Sequence, residues 1–138
     1  MTAVTTRHSR APQPDTQLLR FAMRADATVC GGVGLFVAMA ADPLSRLTGL
    51  TATAEWIAGA ALVGYGVSLY SLARVPDIRR AGVTVLTGSV LFSVGVAVVL
   101  AAGWLPLTAF GVAVTVAFTA VTVGFACLQY LGVRRIPT

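Results

Sequence analysis

Four long apolar runs follow a polar start and are separated by short polar breaks, and this pattern predicts four membrane-crossing helices. The runs span about Leu18 to Ala41, Ala54 to Ala73, Ala81 to Ala102 and Leu107 to Leu131. Each is at or above the roughly 18 to 20 residues that a helix rising about 1.5 Å per residue needs to cross a bilayer core. The fourth run alternates locally at Val112, Val114 and Val116 with small residues between them, which in water would suggest a strand. A lone strand cannot satisfy its backbone groups in lipid, so a helix is expected there too. Residues 1–17 are polar, contain Pro12 and Pro14, and show no apolar period, so they read as a cytoplasmic tail outside the helical region.

The breaks carry their own signals. Asp42-Pro43 ends the first run, and Asp42 is suited to cap a following turn with Pro43 in its first position. Leu44, Leu47 and Leu50 then recur every three residues, with Gly49 as a terminator, so a short interfacial helix is expected, an irregular loop being the other reading. Gly103-Trp104-Leu105-Pro106 is short enough to make the third and fourth spans antiparallel neighbours. Arg74-Val75-Pro76-Asp77-Ile78-Arg79-Arg80 is the one strongly charged interruption in the middle of the chain. The two halves are alike in outline, each an apolar hairpin entered past an arginine pair, a hint of a duplicated hairpin.

Charge then orients the pattern. Arg-rich short loops resist translocation, so the central loop is expected on the cytoplasmic side. Counting outward, both termini fall on that side with Arg7, Arg10, Arg20, Arg24, Arg74, Arg79, Arg80, Arg134 and Arg135, leaving only Arg46 outside. The same topology sets Trp56 and Trp104 at the outer interface and Tyr70 and Tyr130 at the inner one, where amphipathic rings belong. The expected architecture is all-α: a polytopic four-helix bundle, N-in and C-in, in a bacterial cytoplasmic membrane.

Composition agrees with the membrane class. Charged residues are 11% of the chain against about 25% for soluble domains, and 57% of residues are hydrophobic. The sequence pI of about 10.3 would suggest nucleic acid in a soluble protein. Here every basic residue is an arginine, and nearly all sit at the ends of apolar runs, where they meet anionic lipid headgroups, so no nucleic-acid partner is expected. A cleaved signal peptide, with Ala38-Met39-Ala40 as its processing site, is disfavoured by the length of the first run and by Arg24 and Asp26 at its entry. Cys30 and Cys127 lie at unmatched depths, which points to two buried, reduced thiols rather than a disulfide.

Chemistry is conspicuous mainly by exclusion. The single histidine, His8, lies in the tail, so no span offers histidine to haem or metal. No nucleophile–base pair, carboxylate pair or phosphate loop is present, so neither a catalytic residue nor a cofactor is expected. Gly31-Gly32-Val33-Gly34 superficially matches a phosphate loop, but inside an apolar run it reads as a close-packing site. Asp26 is the ionisable residue that intrudes on a span, roughly 12 Å from its start by helix rise. At that depth it needs a partner, and Arg79 or Arg80 is expected to reach it from the central loop. Arg20 and Arg24, one turn apart, suit a lipid phosphate or serve as interfacial anchors. A lipid or ligand site would therefore draw on Arg20, Arg24, Asp26, Arg79 and Arg80. Helix packing, or a partner subunit, would use the small-residue positions Gly31, Gly34, Ser89, Ser93, Gly111, Thr115 and Thr119.

Leu19-Arg20, Arg24-Ala25-Asp26-Ala27, Gly31 to Leu35, Pro43-Leu44 and Leu128-Gln129-Tyr130-Leu131-Gly132 together resemble short four-helix membrane proteins of actinobacteria, and more loosely the DoxX-like group. The resemblance covers about Leu18 to Arg135 and implies a compact four-helix bundle in an accessory role beside redox or envelope machinery. Two functions follow as expectations. The first is a non-catalytic accessory subunit or stabiliser of a larger membrane complex, contacting lipids and other subunits or copies of itself. The second is a small transporter or lipid-binding protein with a cytoplasm-facing Arg/Asp site.

Overall fold

The computed structural model describes residues 14–137, and among them the chain is entirely helical outside its turns. Five helices follow in order: α1 Pro14–Met39, α2 Ala41–Thr48, α3 Ala52–Leu72, α4 Ile78–Ala102 and α5 Ala109–Arg135. Three stretches, Thr16–Met39 of α1 and the whole of α4 and α5, are long and apolar enough to cross a membrane. α3 has 21 residues, a sufficient length for a span, but is not one of these three stretches. The tail positions Arg7, His8, Arg10 and Pro12 lie outside the described residues.

Local chemistry explains the boundaries. The Thr51 and Thr108 hydroxyls accept from the Ala54 and Gly111 backbone N–H groups, each at 3.1 Å, and Asp77 accepts from Arg80 N–H at 3.2 Å. Such N-caps contribute about 1 kcal/mol each. α1 begins at Pro14, four residues before the apolar run, because proline suits the first helical position and a helix need not stop where hydropathy does. α5 likewise continues past Leu131 to Arg135. The short helix after the first run forms as α2, ended by Gly49 in the left-handed region at φ 87°. Asp42 is not its cap: the helix starts at Ala41, two residues before Pro43, with Ala40 in the cap position, and Asp42 is exposed in the first turn.

α1 is the hub against which all the other helices pack. Its partnership with α3 is backbone to backbone. A Cβ built on Gly59 would lie 2.5 Å from the Ala38 nitrogen, and one on Gly34 would lie 2.6 Å from the Gly59 carbonyl. Leu19, Met23, Leu69, Ile78, Val85 and Val133 form the apolar core, where the start of α1, the α3–α4 turn and the end of α5 converge. Arg20, Arg24, Arg74, Arg79, Arg80, Arg134 and Arg135 all belong to this end, and Arg46 of α2 belongs to the other.

The opposite end is tied differently. α2 hooks over α5: Thr108 N–H donates to the Thr48 carbonyl at 2.8 Å, and the Thr108 hydroxyl donates to the Leu47 carbonyl. Between these anchorages α4 drifts outward and has no buried residue after Ser89. The bundle is packed at the arginine end and open beside α4.

Candidate functional site

A buried polar cluster crosses the packed half. Asp26 is 1% exposed and Gln129 is 0% exposed. Gln129 Nε2 donates to Asp26 Oδ2 at 3.0 Å, and Cys30 Sγ donates to Asp26 Oδ1 at 3.3 Å. Helix geometry makes this possible: Met23, Asp26, Ala27 and Cys30 share one face of α1, and Ala126, Gln129 and Val133 share one face of α5. One turn along, Tyr65 of α3 and Ser89 of α4 meet through their hydroxyls at 3.3 Å. All four long helices thus contribute to one polar layer. Within it, Gln129 Oε1 is the buried oxygen with no hydrogen-bond partner among the described residues.

The expected arginine clamp on Asp26 is corrected by this arrangement. Arg79 is exposed, and Arg80 instead pairs with Asp77 at 3.2 Å on the surface, three residues away. The central loop faces outward, so its guanidinium groups remain in the polar medium, while a neutral amide from α5 meets the carboxylate at far lower desolvation cost. Arg20 is committed to structure: it donates to the Ala73 carbonyl and, at 3.1 Å, to the Val75 carbonyl, strapping α1 to the α3–α4 turn. Arg24 is exposed and lines a recess of about 560 Å³ with Arg20, Phe21 and Pro76. Arg20 and Arg24 are therefore together, but Asp26, Arg79 and Arg80 do not join them in one vestibule.

Beside the polar layer lies a cavity of about 510 Å³, where α4 has drifted from α3. Its walls are mainly apolar, with Leu62 from α3, Gly88 and Phe92 from α4, and Phe118 from α5. Phe92 and Phe118 stand edge to face with centroids 6.5 Å apart. Cys30, Tyr65 and Thr122 supply the polar part of the lining. The size lies within the roughly 300 to 1,000 Å³ typical of small-molecule sites, as does the pairing of apolar walls with a few polar groups. Ala58, Ala61, Gly88 and Phe92 are exposed, so the cavity opens outward between α3 and α4.

The small-residue positions divide. Gly34 and Gly111 are close-packed, with a Cβ on Gly111 falling 2.5 Å from the Thr48 carbonyl. Gly31 would meet nothing with its own Cβ, although its backbone abuts Gly66. Ser89 is buried in the polar layer, and Ser93, Thr115 and Thr119 return their hydrogen bonds to the carbonyls four residues earlier at 2.8–2.9 Å.

Gln129, Tyr65, Glu55 and Gly59 were not singled out by the sequence pattern. Gln129 carried a usable signal, since a polar side chain inside an apolar run needs a partner in lipid. Glu55 looks interfacial in sequence, yet it is 6% exposed and accepts from the Thr48 hydroxyl, joining α2 to α3. At the arginine end Tyr70 and Tyr130 lie under Arg74 and Arg134, at 4.6 and 5.7 Å from ring centroid to guanidinium carbon. Both cysteines are free, but only Cys30 is buried; Cys127, expected to be buried, is exposed on the outer face of α5. Compared with known protein families, curated proteins and solved structures, the chain matches none.

Proposed function

We propose that this chain is a non-catalytic four-span membrane protein, with both termini cytoplasmic, that holds a membrane-dissolved lipophilic ligand inside its bundle. The observation that carries the reading is the cavity of about 510 Å³ between α3, α4 and α5, apolar along its walls and polar at Cys30, Tyr65 and Thr122. α3 counts as the fourth span because its two ends lie with the ends of α1 and two of its polar side chains are satisfied inside the bundle: Glu55 is buried, and Tyr65 bonds to Ser89. The orientation rests on the gathering of seven described arginines at one end against Arg46 at the other, which favours that end as cytoplasmic. Arg24, exposed in the recess it shares with Arg20, is positioned for lipid headgroups.

Native mass spectrometry after gentle detergent extraction tests the reading. A bound lipophile, displaced when Gly88→Leu fills the cavity, is the expected result; an empty protein at every extraction strength would remove the proposal. Orientation is checked in a cysteine-free background. Arg46→Cys should react with an impermeant maleimide added outside intact cells, whereas Arg79→Cys should not.

An accessory-subunit role is the second reading. It is favoured by Gly95 and Gly124, both exposed, where an added Cβ would meet nothing within 4 Å. Small residues in lipid allow close helix approach, so each of these positions has room for a partner helix. A stable heteromer in the same extraction, lost on Gly124→Leu, would favour this role over ligand storage.

A further inference from the structure

We infer that the ligand is an uncharged lipophile bearing a hydrogen-bond-accepting carbonyl, and that the Tyr65 hydroxyl is the group that recognises it. The inference rests on the ligand-holding reading above and deepens it.

Hydrogen-bond accounting among the described residues leads to Tyr65. The Cys30 thiol hydrogen is committed to Asp26, and the Thr122 hydroxyl donates to the Phe118 carbonyl at 3.1 Å. The remaining lining side chains are apolar. Tyr65 and Ser89 carry one hydroxyl hydrogen each, but only one of these closes the 3.3 Å bond between them. Ser89 is 1% exposed and does not line the cavity, whereas Tyr65 does. With Ser89 donating to Tyr65, the phenol hydrogen is left to face the cavity. A buried donor without an acceptor is costly, and a ligand carbonyl removes that cost.

The lining also selects against charge. No arginine lines the cavity, so a carboxylate or phosphate would be desolvated without a counter-ion. A cationic head fares no better, because Asp26 is sealed behind Cys30 and Gln129. Depth separates the remaining sources. Tyr65 lies nine residues before Arg74, roughly 13 Å below the arginine-rich turn by helix rise. A phospholipid would have to draw its phosphate toward that depth to bring an ester carbonyl to Tyr65. A neutral acyl ester or ketone, lacking a charged head, reaches it directly.

The test uses the full chain in lipid nanodiscs and three photoreactive probes sharing one diazirine-bearing chain: an acyl methyl ester, the matching alkane, and a phosphatidylcholine. Labelled peptides are located by mass spectrometry. The ester should label the cavity peptides of α3, α4 and α5 about fivefold more than the alkane, the factor for one neutral hydrogen bond. Tyr65→Phe should abolish that preference while alkane labelling persists, which also reports that the variant is folded; Ser89→Ala should keep it. Equal labelling by ester and alkane in the unmodified protein overturns the carbonyl inference and leaves the lipophile site standing. Phosphatidylcholine labelling as strong as the ester overturns the uncharged class. If no probe labels these peptides above a Gly88→Leu control, both the inference and the ligand-holding reading fall.

Discussion

Glycine does opposite work at the α1–α3 contact and along the middle of α4 and α5. In the α1–α3 pair, Gly34, Gly59 and Gly66 each bring one backbone against another, so a Cβ at any of them would fall 2.5–2.7 Å from a main-chain atom. In the α4–α5 pair, Gly82 at the arginine end would meet the Val133 side chain at 2.9 Å, but Gly88, Gly95 and Gly124 farther along meet nothing within 4 Å. The first set closes an interface, and the second leaves space, part of which is the cavity beside Phe92. Helices in lipid associate through close van der Waals approach rather than by escaping water. The α1–α3 contact is therefore the tightly meshed part of the bundle, and the middle of α4 and α5 leaves open space beside it.

The strongest way to break this contrast is Gly59→Leu. The obstructing atoms belong to the α1 backbone and cannot rotate aside, so a loss of about 3 kcal/mol or more is expected. Thermal unfolding in detergent checks it; a melting temperature close to the unmodified protein's would show that α1 and α3 do not depend on that contact. Next is Gln129→Leu, which leaves the buried Asp26 carboxylate short of a donor and should cost about 2 kcal/mol. Combining it with Asp26→Leu should recover much of the loss, because an apolar pair has no unmet hydrogen bond. A double variant as unstable as the sum of the two single changes would sever Asp26 from Gln129 energetically.

A smaller effect belongs to the hook opposite the arginine end. Glu55→Ala removes the acceptor of the Thr48 hydroxyl, with an expected loss of about 1 kcal/mol. Proteolytic cleavage should then rise in α2 and the α4–α5 turn but not in the α3–α4 turn, and a uniform rise would count against separate anchorages. Smallest of all, Gly124→Ala should change stability by no more than about 1 kcal/mol, and in the stabilising direction, since an added methyl meets open space and glycine is a poor helix former. Clear destabilisation or loss of a co-purifying protein would reveal that this surface is covered by a partner.

The legibility of the fold can be followed residue by residue. Helix ends were readable where a local rule governs them, as at Gly49, whereas α4 starts at Ile78, three residues before the apolar run at Ala81. Asp42 misled because α2 follows α1 after a single residue, which leaves no room for a separate cap there. Asp26 was readable as a residue in need of a partner, but the nearby arginines were the wrong choice. Charge complementarity is visible in sequence, whereas the direction in which the α3–α4 turn faces is not. The cavity had no sequence signature, because its walls are the same leucines, phenylalanines and glycines found elsewhere on these helices.

By itself the sequence determined the helical class, the apolar runs and the one-sided placement of arginine along the chain. These follow from hydropathy, backbone satisfaction and residue order, all of which act over a few turns. Only the tertiary structure decided that Asp26 meets Gln129 across 103 positions of sequence, that Gly59 packs while Gly124 does not, and that α4 parts from α3 after Ser89. A helix apolar on every side carries no stripe to mark its inward face. Its rotation, and with it the position of every buried polar group and void, is set by contacts with the other helices.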